Sequence, residues 1–216
     1  MILQGLVWVN GTVVNRLGAK IEAGTDRVEF EGKVVEPRRS LQYILLNKPK
    51  GFVSTAKDDR DRKSVLDLVA TRARIYPVGR LDIDSTGLLL LTNDGEMAYR
   101  LMHPKFRVAK VYQVSLDRRL QMQDEKKLEQ GIVLEEGQTA PCTISFPAAS
   151  NRKLVRVTLR QGWKRQIRRM FAALDYKVCN LSRIEFGCLK LNGLAPGNWR
   201  NLSPQEIRQT KQIVGL

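Results

Sequence analysis

Residues 79–95, Gly-Arg-Leu-Asp-Ile-Asp-Ser-Thr-Gly-Leu-Leu-Leu-Leu-Thr-Asn-Asp-Gly, set the terms for any fold this chain can adopt. Four consecutive leucines, Leu88 to Leu91, lie between a Ser-Thr-Gly step and the Asn-Asp-Gly turn signal. So short and apolar a run suits a strand buried on both faces, although periodicity alone leaves a buried helix open. The polar residues ahead of it then stand at the rim of a core, where a rigid scaffold can present a carboxylate. Asp82 is the candidate. Taken alone, an aspartate in a glycine-flanked loop reads as a turn or capping residue. The rest of the chain decides between the two.

The partner is indicated by charge. Across 216 residues, 37 Lys and Arg face 22 Asp and Glu, a net +15 with pI near 10.1. Such an excess points to a polyanion, nucleic acid ahead of an anionic membrane surface. No run approaches the roughly 18 apolar residues of a spanning helix, and the start lacks a basic segment followed by a long apolar one. No membrane partner is expected. Cys142, Cys179 and Cys188 are odd in number and widely spaced, which suggests neither a disulfide framework nor a zinc site. They read as buried thiols of a reducing cytoplasm. With His103 the single histidine, most His-based triads and metal sites fall away, leaving carboxylates, Tyr, Lys and Arg for any catalysis.

Two domains are expected. Residues 1–36 contain an Asn10-Gly11 hairpin signal flanked by alternating apolar residues, then a further turn and a strand ending near Phe30. Residues 37–40, Pro-Arg-Arg-Ser, read as a linker. Net charge is +1 over residues 1–40 and +14 over 41–216, so the polyanion-binding surface belongs to the larger domain. That domain opens with a strand from Tyr43, a Pro49-Lys50-Gly51 turn and a second strand through Ser54. A polar loop at 57–63 follows. Ser64, with Asp67, caps a short helix. A helix is expected from Asp94 to Met102, a strand over Val108–Leu116 and a short helix over Asp124–Glu129. Further strands are expected over Ile132–Phe146, Lys153–Leu159 and Val178–Leu191, the last broken at Gly187. The segment 151–174 carries eight basic and no acidic residues. Within it Ile167, Met170, Phe171 and Leu174 fall on one helical face, which predicts a helix with Lys164 beside Arg168 and Arg165 beside Arg169. A first turn that basic suits phosphates better than its own dipole, and a merely solvated face would mix signs.

Five stretches taken together resemble the pseudouridine synthases of the RsuA/RluB/RluE/RluF family. They are Leu46-Asn47-Lys48-Pro49-Lys50-Gly51, the 79–95 string, Lys110-Val111-Tyr112-Gln113-Val114, Arg165-Gln166-Ile167-Arg168-Arg169-Met170 and Leu181 to Leu191. They run in the family's order over residues 41–207. The resemblance implies an α+β fold, a mixed and largely antiparallel sheet flanked by helices, with an active cleft across its middle. It makes 41–216 the catalytic domain. Residues 1–36 resemble the C-terminal half of an S4 RNA-binding domain; only the tail of that domain's second helix fits before Gly5, so a truncated or reduced S4-like unit is expected.

Carried over residue by residue, the resemblance makes Asp82 the essential aspartate and Tyr112 the tyrosine that stacks on the target base. Arg168 becomes the basic residue that pairs with the aspartate, and Leu189 an apolar wall of the uracil pocket. Arg80, Lys48, Lys110, Lys164, Arg165 and Arg169 are the expected RNA contacts. No metal or organic cofactor is implied. The implied partner is ribosomal RNA or a pre-ribosomal particle, and a monomer is expected. The Asn-Asp-Gly ending, the Lys-Val-Tyr strand and residues 131–141 lean toward the large subunit. One departure stands out. Where the family often has Glu-Gly-Arg-Asn, this chain has Gln161-Gly162-Trp163-Lys164.

The implied reaction detaches uracil from C1′, turns it and reattaches it through C5. The nucleotide must first leave the stack, and a flat aromatic such as Tyr112 replaces lost stacking worth ~1–3 kcal/mol. Asp82 would act ionised, either as nucleophile toward sugar or base or as base at C2′. A guanidinium from Arg168 would oppose desolvation of that carboxylate, holding it with a fork that lysine lacks. The same pair could be a purely structural salt bridge. A non-catalytic RNA-binding assembly factor would explain the charge but has no need of Asp82, Tyr112 and Arg168 together. No G-x-G-x-x-G or G-x-x-x-x-G-K-[ST] string occurs, which removes the sequence support for a dinucleotide-type or P-loop enzyme.

Overall fold

The computed structural model describes residues 1–22, 25–35, 40–55 and 60–216, and divides into two compact units, Met1–Ser40 and Leu41–Leu216. Of the expected linker, only Ser40 falls among the described residues, and the polar loop is described from Arg60 onward.

The first unit is a small antiparallel sheet. Strands β1 (Val7–Val9) and β2 (Thr12–Val13) form the hairpin expected at Asn10-Gly11, both of whose φ angles are positive, as a type I′ turn requires. A second hairpin joins β3 (Val28–Phe30) to β4 (Lys33–Val34). Its turn, Glu31-Gly32, has the same pair of positive φ angles. The sequence reading stops at Phe30 and misses it, because glutamate is a poor signal for that turn.

The second unit is organised on β5 (Tyr43–Lys48), β6 (Tyr76–Pro77) and β7 (Thr86–Thr92). Helix α1 (Gly95–Met102) leads into β8 (Lys110–Leu116). Then come α2 (Met122–Gln130), β9 (Val133–Leu134), β10 (Gly137–Gln138), β11 (Thr143–Ser145) and β12 (Leu154–Leu159). Helix α3 (Gln166–Ala172), β13 (Val178–Phe186), β14 (Leu189–Lys190), β15 (Trp199–Asn201) and α4 (Pro204–Ile213) complete it. Among the described residues one nine-stranded sheet has the path β11-β12-β8-β13-β7-β5-β15, with β14 beside β13 and β6 beside β7. Its ladders are antiparallel except β7–β13. The expected α+β class, mixed and largely antiparallel, is what forms.

The leucine run is the strand that spans both layers. Leu88 and Leu90 pack with Met97, Ala98 and Leu101 of α1 and with Val214, whereas Leu89 and Leu91 pack with Val65, Val69, Ile75 and Leu81. All four are fully buried. Asp94 caps α1 by accepting from Met97 N at 3.0 Å and also accepts from Tyr43 Oη at 2.6 Å. Ser64 and Asp67 form the expected capping box, over a single 3-10 turn.

Three expected elements differ. No strand follows Pro49-Lys50-Gly51; Val53 makes one isolated bridge to Ser64, and Ser54 is turned to the loop ahead of Asp82. The expected strand over 132–146 is interrupted, since Gly137 with φ 122° and the Glu135-Glu136 turn fold it into the β9–β10 hairpin before β11. The basic helix starts only at Gln166 and ends at Ala172, because Arg165 takes a left-handed φ of 51°. Lys164 and Arg165 therefore lie in a loop. Among the described residues no helix is long and apolar enough to cross a membrane.

The C-terminal helix depends on one acid. Glu206 closes the capping box with Ser203 and takes a fork from Arg200 on β15 at 2.8 and 2.7 Å. The Arg200 hydrogen bonds, against the opposing effect of burial, bring its pKa down to about 2. A folded pKa below the unfolded value of about 4.3 contributes stability that is fully present above that value and lost as pH falls toward 2. Glu206→Gln should therefore lower unfolding free energy at neutral pH by about 2 kcal/mol. The deficit should narrow as pH falls from about 4 to 2, as read by urea unfolding across pH.

Candidate active site

The site begins with a loop that the sheet holds still. β5 ends in Lys48, whose side chain is fully buried and whose Nζ donates to the carbonyls of Pro49 at 3.0 Å, Asp82 at 3.0 Å and Ser85 at 2.8 Å. Burial pushes its pKa down to about 8, and the charges of Asp82 and Asp84 act against that. Ser54 closes the loop from the other side, donating to Leu81 O and accepting from Leu81 N. Ser85 N donates to Asp82 O at 3.0 Å and Gly51 N to Ile83 O at 2.8 Å. Lys48, expected as an RNA contact, is a post under the Asp82 backbone. Having no exposed surface, it offers nothing to a phosphate. Lys48→Met should remove the ammonium from three carbonyls, of which Asp82 O keeps only Ser85 N, and cost about 2–4 kcal/mol. Urea unfolding would measure that loss, and activity should fall as well because the carboxylate loses its fixed position.

Above this loop lies a cleft of about 1250 Å³. Arg80, Asp82, Ser85, Lys110, Tyr112, Trp163, Lys164, Arg165, Leu181, Arg183 and Phe186 are among the residues that line it. Of the expected site residues, Asp82, Tyr112, Arg80, Lys110, Lys164 and Arg165 are thus brought together. Arg80, Lys164 and Arg165 are exposed; Tyr112, near the middle of β8, is partly buried. The Asp82 side chain keeps 35% of its surface exposed. Among the described residues its nearest cation is Arg165, with Nη1 at 3.8 Å.

Three expectations are corrected here. Arg168 does not pair with Asp82. Its Nη2 lies 3.2 Å from Asp84 Oδ2 and 3.4 Å from Asp84 O, and Nη1 donates to Val178 O at 3.0 Å. Asp84 also takes both Arg165 Nη atoms at 3.3 and 3.2 Å. Burial pushes the Asp84 carboxyl up, but the Arg165 hydrogen bonds and the charges of Arg168 and Arg165 outweigh it and leave the pKa below the ordinary value. Asp84 thus occupies the arginines, while the Asp82 carboxylate has no hydrogen-bonded partner among the described residues. Arg169 is spoken for elsewhere, since both its Nη atoms donate to Glu136 at 2.7 Å. Leu189 is fully buried in the layer formed with Leu45, Leu88, Leu90 and Phe186. The apolar walls of the cleft include Leu181 and Phe186 instead.

Sequence reasoning missed Asp84, Arg183 and Gln166. Arg183 was detectable, since it shares the inward, every-second-residue phase of β13 with Leu181 and is 2% exposed. Gln166 is buried and braces the departing loop. It accepts from Trp163 N at 3.0 Å and donates to Gln161 Oε1 at 2.9 Å, which also takes Ala140 N. A carboxylate on a fixed loop, an aromatic face and a cationic rim can accept an extruded nucleotide of a polyanion and attack it or take a proton from it.

Comparison with known proteins agrees with this geometry. The description of the RNA pseudouridylate synthase family matches residues 42–173. Over 99% of its length the chain is 43% identical to ribosomal large subunit pseudouridine synthase B of Bacillus subtilis, covering 88% of that protein. It is 40% identical over its full length to an uncharacterized RNA pseudouridine synthase of Aquifex aeolicus, again covering 88% of it. A crystal structure of a pseudouridylate synthase superposes with a TM-score of 0.74 at 31% identity, covering 97% of this chain and 90% of that one. The chain belongs to the RNA pseudouridylate synthase family, on its RsuA/RluB branch, and is an isomerase.

Proposed function

We propose that the protein converts one specific uridine of large-subunit ribosomal RNA to pseudouridine, with Asp82 as the reacting carboxylate and without a cofactor. The observation that carries the assignment of Asp82 is its placement. The carboxylate opens into the cleft on a backbone held by Lys48 and Ser54, while Asp84 engages the neighbouring arginines. The target nucleotide flips out of its stack, and its base lies against Tyr112. Arg80, Lys164 and Arg165, on the exposed rim, hold the opened strand by its phosphates. Arg168 acts through Asp84 and the Val178 carbonyl, fixing the loop that carries Asp82. The Bacillus subtilis relative, named for the large subunit, supports that choice of RNA.

The remaining assignments follow. The protein acts as a monomer in the cytoplasm, where ribosomal RNA is made in bacteria such as those of its relatives and where three free thiols are at home. The small N-terminal unit, S4-like in its hairpins, adds contacts to the RNA. The test uses unmodified large- and small-subunit ribosomal RNA transcripts and partly assembled particles, incubated with EDTA. New pseudouridines are mapped by carbodiimide-blocked reverse transcription. A single new stop in the large-subunit RNA is expected. A stop only in small-subunit RNA would refute the choice of subunit, and RNA binding with no stop on any substrate would refute the reaction.

A further inference from the structure

Two cations of the inner cleft, Arg183 and Lys110, have no acidic partner among the described residues. Arg183 donates through Nε to Leu88 O at 2.8 Å, but its Nη2 is buried without an acceptor. Lys110 begins β8, where the ladder sets Lys110 opposite Phe186 and Tyr112 opposite Arg183. Lys110, Tyr112 and Arg183 therefore stand on one face of the sheet. Among the described residues no carboxylate lies within ion-pair distance of either cation. The Phe186 ring is what they share, with Lys110 Nζ 5.9 Å and Arg183 Cζ 5.0 Å from its centroid. A ring face returns only part of what it costs to bury two like charges. Burial first, and the positive charge of Arg183 second, bring the Lys110 pKa down to about 8. Both side chains line the cleft.

We infer that Lys110 and Arg183 form a phosphate-binding site in the cleft, which takes the phosphate of the nucleotide stacked on Tyr112. An anion there removes the repulsion between the two cations. A guanidinium with an ammonium beside it suits a phosphate, the first by its fork and the second as a point charge. The location suits that phosphate as well. A base drawn onto Tyr112 brings its own phosphodiester into the cleft, and Lys110 stands two residues along the same strand, about 7 Å away. The exposed arginines of the rim are then left for the flanking phosphates. This site rests on the proposed reading of Tyr112, and it separates two functions among the basic residues: the rim gathers RNA of any sequence, whereas the inner site is filled only when a nucleotide has entered.

The test follows the ammonium of Lys110 by NMR in protein carrying ¹³C at the lysine ε position, with Lys110→Gln identifying the signal. Lys110 is titrated in chloride and again with inorganic phosphate. Phosphate should raise its pKa by about one unit or more, while the lysine of the rim, Lys164, moves less. In Arg183→Gln the Lys110 pKa should start higher in chloride, because the repelling charge is gone, and phosphate should no longer shift it. Should that variant fail to fold, the Arg183 Nε–H signal takes its place: phosphate should move it in the wild type and not in Lys110→Gln. An unmoved Lys110, or a shift no larger than that of Lys164, would overturn the site. Neither readout requires turnover. Pseudouridine formation with an unmoved Lys110 would remove the site alone, whereas a shifted Lys110 without pseudouridine on any RNA would remove the proposed reaction and leave the anion site.

Discussion

Asp82→Asn should abolish pseudouridine formation, lowering the single-turnover rate by at least ~10³-fold, while RNA binding stays equal or becomes slightly tighter. Asparagine keeps the shape of the side chain and loses both its nucleophilicity and its capacity to take a proton, so either route open to Asp82 fails. Binding survives because the rim cations do not depend on Asp82, and removing an acid from a basic cleft favours a polyanion. The informative comparison is Asp84→Asn. Asp84 stands two residues on, and its side chain, 42% exposed, pairs with Arg165 and Arg168. Loss of that partly screened network should cost roughly 1–1.5 kcal/mol, or about tenfold in kcat/KM. Single-turnover assays of both variants on the mapped RNA decide the matter. If the Asp84 variant were the dead one and Asp82→Asn the mild one, the two aspartates would exchange roles, and the arginine contacts would have to be read as activation of Asp84.

Much of this arrangement was legible in residue order. The apolar run Leu88–Leu91 requires two covering layers, and the structure supplies α1 with α4 on one side and the 65–81 segment on the other. Ser64 was readable as a cap because its chemistry acts within three residues. What escaped was the destination of long cationic side chains. Lys48 and Arg169 look alike as positive charges in basic motifs, yet one donates to three carbonyls under the Asp82 loop and the other meets Glu136, 33 positions away. Residue type fixes the charge but not the direction of a four-carbon stem. The choice between Asp82 and Asp84 as the partner of Arg168 is of the same kind. The two carboxylates are two residues apart, and residue order alone does not say which of them the arginines reach. Leu189 was misplaced because an apolar side chain one strand pair from the cleft reads the same whether it lines a pocket or fills the layer beneath.

Gly87→Ala should be the most damaging small substitution outside the reacting groups, and it tests how the two halves of the sheet are joined. The antiparallel ladders β11-β12-β8-β13 on one side and β7-β5-β15 on the other meet at the parallel pair β7–β13, where Ser182 faces Thr86 and Arg183 faces Gly87. There the backbones close to a distance that leaves no room for a side chain. A Cβ on Gly87 would lie 2.2 Å from Arg183 O and 2.6 Å from Arg183 N, and Gly87 has φ 108°. Backbone atoms in a paired strand cannot swing away as a side chain can, so the seam itself must open. Opening it would break the Arg183 Nε bond to Leu88 O and disturb both the core behind β13 and the cleft face in front. A loss of about 4 kcal/mol or more is expected, which for a chain of this size lowers the melting temperature by roughly 10 °C. Gly51→Ala is the control. Its φ is 87°, similarly unfavourable, but a Cβ there meets nothing within 4 Å. It should cost about 1 kcal/mol, the strain of the backbone alone. Thermal unfolding of the two variants side by side separates strain from close approach. Equal losses would mean that β7 and β13 can part at the seam without penalty, and the fixed position of Arg183 over the cleft would then need another cause.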